Sequence, residues 1–491
     1  MNKLTRRCAT GRFYTVESID EILRDKPFDP PLKTYRYEDY PPDPGDPDLQ
    51  VKTGETWVYN FTKSGPIKAA RRESLRTWWL ERMLTGDMHD VMTFFWHNHF
   101  GVSIERSGYE AHFCWNYYMV LRNNAMGDFK KMILDVTLSA AMMEFLNGNT
   151  NTGKNPNKNF ARELLELFTV ARGNYTEQDV VEAAKCLSGY WLDYNTGKAE
   201  IDRPSHDNSD KQFSAFFWNR VIKGDYENEV PALIDMIFET QPMNVATFIC
   251  TKLYRFFINA TVDMTFVGMM AEEFMKHNFN IRPVLKFMMV SEHFYDKQFT
   301  GSIVKSPIDL LASVIRDFAI PMPKDPVQRY WTLNKLRLRL EPMMTLGDPP
   351  GVDGWKAYYQ SPEFDGLWYN SSTAQFRQQL LMDLFSPWLF SVDGEGFWID
   401  VIRTAKTFSD PSNPDLLVSE SLSRMLPFPI STEEQQRIKK ETLLTGLENR
   451  HWTKAWKNYI ADPSPANESV VKERLTALYQ YIILSESYQQ K

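Results

Sequence analysis

Long apolar runs are missing from this sequence. No stretch of eighteen or more apolar residues occurs, so no membrane-spanning helix is expected. Excess positive charge is missing too. Lys and Arg number 56 against 63 Asp and Glu, a net charge of −7, whereas a dedicated nucleic-acid binder would need a basic footprint. Cysteine is scarce: Cys8, Cys114, Cys186 and Cys250 lie far apart with no C-x-x-C pair. That disfavours a structural zinc site or a disulfide scaffold and leaves buried free thiols as the expectation. The first twenty residues carry Lys3, Arg6 and Arg7 without an apolar segment after them. No secretory signal is therefore expected, and the chain is read as cytoplasmic or as an exported protein given without its signal. Gly-rich phosphate loops, a G-x-S-x-G elbow and an H-E-x-x-H pair are also absent. No nucleotide cofactor is expected, and nucleotide-dependent, α/β-hydrolase and zincin chemistries lose their signatures.

Aromatic residues are plentiful: 14 Trp, 22 Tyr and 32 Phe. They fit either a large ring-packed core or a groove whose rings stack on sugars. Apolar periodicity is mainly helical. It predicts helices at 71–84, 88–96, 128–146, 159–171 and 176–187, then at 231–240, 245–258, 264–277, 281–295 and 307–318. Further helices are expected at 374–385, 397–408 and in the last sixty residues. Alternating strand patterns are scarce, so the fold class is mainly α, with long irregular loops. Three segments are expected. Residues 1–70 hold an N-terminal helix and a Pro/Asp-rich extended segment. Residues 71–320 form a helical core domain with the candidate site. Residues 321–491 hold a Gly/Pro-rich segment and a C-terminal helical extension packed on the core. One short echo, Met289–Tyr295 against Leu484–Gln489, fits chance similarity of helix ends as well as an old duplication.

Three clusters could carry chemistry. In Phe94-Phe95-Trp96-His97-Asn98-His99-Phe100, two imidazoles sit in an aromatic run. Two positions apart, they point about 200° away from each other on a helix, so they share a metal only if the helix ends near Asn98; Gly101 allows that. His97 on its own reads first as a core histidine. In Asn159-Phe160-Ala161-Arg162-Glu163-Leu164-Leu165-Glu166, the residues Asn159, Glu163 and Glu166 share one stripe, with Glu163 at the edge of an apolar face. A carboxylate there has its pKa raised unless it is paired or metal-bound. The structural alternative pairs Arg162 with Glu166 on the helix surface. The third cluster, His206-Asp207 in a polar loop, could ligate a metal or orient a substrate, or could be a solvated loop.

Together these fragments resemble the bacterial domain-of-unknown-function family 1800. The resemblance rests on Arg6–Gly11, on Trp96-His97-Asn98-His99-Phe100, and on Asn157-Lys158-Asn159-Phe160-Ala161-Arg162-Glu163-Leu164-Leu165-Glu166-Leu167-Phe168. It continues through Tyr175–Val180, Leu187–Tyr190, His206-Asp207, Lys305-Ser306-Pro307 and Pro349–Trp355. The family commonly has Asn-Glu-Asn where this chain has Asn157-Lys158-Asn159. The resemblance implies no settled activity. It does imply frequent export, and a partner protein of the alkaline-phosphatase and sulfatase-like group, whose genes often lie nearby.

The leading expectation is a metal- or carboxylate-assisted hydrolase acting on a glycan or other extracellular polymer. His97, His99 and Glu163 would hold a divalent metal, whose bound water would ionise near neutrality. Glu166 would act as general base, and His206 and Asp207 would orient the substrate. Asn159 and Arg162 would bind it. The alternative is a non-enzymatic glycan- or protein-binding module in which the same residues form a buried structural network. A haem or redox role would rest on histidine and aromatic abundance alone, without a C-x-x-C-H.

Overall fold

The structure is a computed structural model that describes residues 16–105, 111–194, 196–392 and 396–491. The Arg6–Gly11 segment and Cys8 lie outside the described residues. The fold is mainly α: twenty α-helices among the described residues, with two small two-stranded sheets. The chain opens with α1 (Val16–Ile22), an extended Pro/Asp-rich segment, α2 (Gly65–Thr85), α3 (Met88–Phe100) and α4 (Ala111–Asn124). Next come α5 (Phe129–Thr137), α6 (Ala140–Phe145), α7 (Lys158–Glu163) and α8 (Glu177–Cys186). Strands β1 (Tyr190–Asp193) and β2 (Lys198–Ile201) pair antiparallel, as do β3 (Lys211–Gln212) and β4 (Val221–Ile222). The core is completed by α9 (Glu229–Thr240), α10 (Pro242–Phe257), α11 (Met264–Lys276), α12 (Ile281–Val290) and α13 (Pro307–Asp317). Then follow α14 (Pro326–Leu340), α15 (Ser371–Asp383), α16 (Val401–Ala405), α17 (Pro414–Met425), α18 (Thr432–Glu441), α19 (Asn449–Ala461) and α20 (Pro465–Leu484).

Local chemistry sets the boundaries. Asp87 and Asp90 form a reciprocal capping box at the start of α3, and Thr176 with Asp179 does the same for α8. The continuous helix expected over 128–146 is instead two, because Ser139 accepts from the Met142 backbone and starts a new helix. The helix expected over 281–295 stops at Val290. There Ser291 caps a separate 3₁₀ turn, Glu292–Tyr295, and Ser485 does the same before Glu486–Gln489. The sequence echo is therefore a shared serine-capped turn after a helix. The helix expected over 397–408 shrinks to α16, and periodicity did not announce α4 or α14. In α14, Arg337 and Arg339 interrupt the apolar stripe, yet Arg337 is buried against Glu73 and Glu341.

One hydrophobic core runs from Ile19 to Tyr488. Helix α2 packs on α4, α13 and α14, tying the amino-terminal third to the carboxy-terminal third. The large aromatic content goes chiefly into this core: Trp57, Trp79, Trp96 and Trp452 are fully buried. The described thiols, Cys114, Cys186 and Cys250, are free and buried. No described helix is long and apolar enough to cross a membrane.

Candidate functional site

The stretch after α7 leaves α-geometry. Leu164–Thr169 forms a π-helical turn, in which Val170 N donates to Leu165 O at 2.9 Å across five residues. Insertions of this kind are rare and gather at functional sites. The turn packs against both α3 and α10. Carbonyls in the last turn of a helix lack intrahelical partners, and here those of Leu167 and Phe168 are taken by side chains. His99 Nε2 lies 3.2 Å from Phe168 O, and Lys252 Nζ lies 3.4 Å from Leu167 O. Lys252 Nζ also lies 2.9 Å from His99 Nδ1. This chain of contacts fixes His99 as the tautomer that donates from Nε2 to Phe168 O and accepts at Nδ1 from the lysine.

A loop from far along the chain closes the other side. Asn98 Oδ1 accepts from Trp355 N at 2.8 Å. Gly101 ends α3 in the left-handed region at φ 64°, and a Cβ there would sit 2.3 Å from Val352 O. Gly354, at φ 89°, would place a Cβ 2.3 Å from Asn98 O. Both glycines are needed for backbone conformation and for close approach. Together they bring Asp353 to the π-helical turn.

The result is a half-buried cluster of Glu163, Glu166, Lys252, Asp353 and Tyr359, termed the cleft for the groove it would offer a substrate. Burial pushes Glu163 up to about 7, helped by the negative charges of Asp353 and Glu166 and opposed by Arg162. Burial brings Lys252 down to about 7; Asp353 works against that shift and Arg255 adds to it. Tyr359 is raised by burial and by its hydrogen bond and charge contact with Asp353. His99 is held well below its ordinary value by burial and by Lys252, so the imidazole is neutral. Phe248 lies beneath the lysine, with the amine 4.5 Å from its ring centre. Two groups that can gain or lose a proton near neutrality thus flank one carboxylate, an arrangement suited to acid/base work.

Of the residues singled out in the sequence, His99, Glu163 and Glu166 come together here. Glu166 accepts from Tyr175 Oη and lies 3.0 Å from Arg172 Nε. Arg162 pairs with Glu177 at 2.7 Å, so it does not make the surface pair with Glu166. Asn159 is exposed at the start of α7, where its backbone N–H donates to the capping Asn157. His97 points elsewhere. Its ring is buried among Trp79, Tyr117 and Trp355, at centroid distances of 4.6, 6.1 and 6.0 Å. Burial lowers it to about 4. The helix carries on through His99 to Phe100, so the two imidazoles stay on different faces. Both nitrogens of His99 are committed. His97, His99 and Glu163 therefore do not form one metal donor set in this arrangement.

His206 and Asp207 belong to a second knot. His206 Nδ1 donates to Ser188 O at 2.8 Å, and its Nε2 faces Glu229 Oε1 at 3.3 Å. Lys211 Nζ reaches the same carboxylate at 2.7 Å, with all three side chains fully buried. Burial works against charge on His206, but the Glu229 and Ser188 contacts outweigh it and raise its pKa. Asp207 N donates to Ser188 Oγ, and Asp207 Oδ1 accepts from Ser209. These contacts join the loop after β2 to α9.

Sequence reasoning missed Lys252 and Asp353 as site residues. Lys252 had a signal: it is a lysine three residues after Ile249 and four before Phe256, both buried on the apolar face of α10. Asp353 lies inside Pro349–Trp355, a segment quoted only for family likeness.

The fold and cleft define a mainly helical protein with a carboxylate–lysine–histidine site built on a π-helical turn. Residues 10–489 match the family described as "Protein of unknown function (DUF1800)", and the chain belongs to that family. No curated protein and no solved structure matches it.

Proposed function

We propose that the protein is a hydrolase of carboxylate-assisted type acting on a glycan or related polymer. In this reading Glu163 delivers a proton to the leaving oxygen and Asp353 activates the attacking water or stabilises developing positive charge. Lys252, anchored by His99, holds Asp353 in place through opposite charge. A carboxylic acid that keeps its proton near neutrality beside a second carboxyl group is what glycosidic cleavage requires. The observation that carries the reading is Glu163, half-buried and held protonated up to about pH 7, within charge contact of Asp353. Rings exposed on the small sheets and their loops, Trp191 at 46% and Trp218 at 63%, give flat surfaces suited to sugars. The test is release of reducing ends from a panel of polymeric glycans by the native protein, Glu163→Gln and Asp353→Asn. Cleavage by the native chain with a loss of at least ~10²-fold in each variant supports the reading. Cleavage that survives both substitutions removes it.

A second reading, a binding module, is favoured by the buried His206–Glu229–Lys211 knot, which joins elements without facing the cleft residues. It predicts glycan retention by the native protein without bond cleavage, and a large loss of stability when the knot is broken.

A further inference from the structure

Among the described residues, one trio outside the cleft brings three metal-type donors together. The ligand atoms of Asp25, Asp87 and His89 lie within 4.8 Å of one another. Asp87 is the N-cap of α3, and its Oδ1 accepts from His89 N at 2.9 Å. Its Oδ2 is buried without a hydrogen-bond partner, and so is His89 Nδ1. Both residues are more than nine-tenths buried, at 9% and 6% exposure. His89 Nδ1 lies 3.7 Å from Asp25 Oδ1 and 3.9 Å from Asp87 Oδ1. Buried polar atoms normally have partners, and two orphans on residues of one donor cluster call for a physical account.

Neighbouring cations do not supply one. Arg122 spends Nη1 on Asp90 Oδ1 at 3.1 Å, and Nη2 on Asp25 Oδ1 at 2.9 Å and Lys26 O at 3.2 Å. Its Nη1 comes only within 3.9 Å of Asp87 Oδ1. Arg282 donates to Leu23 O. Neither pairs with Asp87 Oδ2 or His89 Nδ1. Arg122 instead holds Asp25 beside the pair. His89 also borders an open groove with Asn123, His277, Asn280 and Arg282, which gives water and ions access.

We propose that Asp25, Asp87 and His89 bind one first-row divalent cation, which pins the segment after α1 to the start of α3. One imidazole and two carboxylates, with solvent completing the shell from the groove, suit Mn²⁺ or Zn²⁺. Ligands around an ion at ~2.1 Å stand roughly 3 to 3.5 Å apart, so the two imidazole–carboxylate spacings of 3.7 and 3.9 Å need to shorten on binding, and the exposed Asp25 side chain has the freedom to swing inward. Helix α1 otherwise rests mainly on α12, through packing and through Lys286 to Asp20 at 2.8 Å. A cation would add an anchor between this segment and α3.

The experiment is titration of chelator-stripped full chain with MnCl₂, followed by the electron paramagnetic resonance signal of free Mn²⁺, with ZnCl₂ in parallel thermal melts. One Mn²⁺ per chain is expected, with a rise in Tm of ~2 °C on saturation. Asp25→Asn, at an exposed position where the amide oxygen can still accept from Arg122, and His89→Gln should each weaken binding at least ~10-fold. Glu163→Gln should leave it unchanged. The proposal is overturned if neither ion binds saturably below about 1 mM, or if Asp25→Asn binds like the native protein. It is equally overturned if Glu163→Gln removes the binding, which would move the ion to the cleft.

Discussion

Glu163 and Lys252 are costly residues at the pH where they are useful. Glu163 in the folded chain titrates near 7 instead of 4.5. Between those values the folded state holds a proton that the unfolded state has lost, so this group's contribution to stability falls as pH rises from 4.5 to about 7. Lys252 titrates near 7 instead of 10.5. Between those values the unfolded state holds the extra proton, so its contribution rises with pH from about 7 to 10.5. The two together place a minimum of stability close to neutrality. Glu163→Gln should raise or preserve Tm, with its gain growing from pH 5 to about 7 and holding above it, and Lys252→Met should do so with its gain full below about pH 7 and fading above it, as melts from pH 5 to 9 would show. If both variants are also inactive, the acid and the amine belong to function and their strain is tolerated for it. Under the proposed chemistry, the pH–rate profile of the native chain should fall above about pH 7 as Glu163 loses its proton.

At the scale of elements, the cleft depends on a π-helical turn and on two glycines. Gly101→Ala would force a left-handed backbone, at about 1–2 kcal/mol, and would push its Cβ against Val352 O. It should lower Tm by several degrees and detach Asp353 from the π-helical turn, giving a larger loss of turnover than the stability change alone explains. Comparing kinetics and melts for Gly101→Ala and Asn98→Ala checks this. The second knot behaves differently. Glu229 holds a fully buried imidazole and a fully buried amine, and Glu229→Gln leaves the imidazole without its counter-charge and the amine with only Asp207 at 3.7 Å. Breaking a buried pair costs about 3–5 kcal/mol. The His206 part of that cost should be greatest below pH 6.5 and fade as pH climbs through the raised folded value, as denaturant unfolding at pH 6 and pH 9 would read. These elements also show what the sequence makes legible. Capping boxes such as Thr176 with Asp179, and the stripe holding Glu163 and Glu166, are local and can be read directly. The π-helical turn cannot, because Leu164–Thr169 has the same apolar spacing as an ordinary helix. His97 and His206 attract notice as histidines, yet their roles depend on neighbours that periodicity does not specify.

Across the whole molecule, the cleft draws on residues 99, 163–166, 252 and 353, each held by a different element. The carboxy-terminal end is bound in as well. Gln489 accepts from the buried Arg377, Lys305 Nζ donates to Tyr488 O at 2.6 Å, and Lys491 pairs with Asp309 at 2.5 Å. Arg377→Met should therefore loosen the joint between α15 and the last turn. Faster hydrogen exchange in residues 486–491 is expected, with α7 and α8 unaffected. Pairings this far apart are what a reader of the sequence has least chance of seeing. Lys252 and Asp353 gain their meaning only from partners roughly ninety to two hundred residues away.

The glycine-spaced closure of Val352–Trp355 onto the end of α3 also fixes when competence can arise. A chain emerging from the ribosome displays its imidazoles, its acids and its amine well before residue 353 exists, and all that time they remain a set without a lid. During refolding, helical signal should return first and catalytic competence last. Nicking the backbone between α14 and α15 should silence the protein while leaving most of its helices intact.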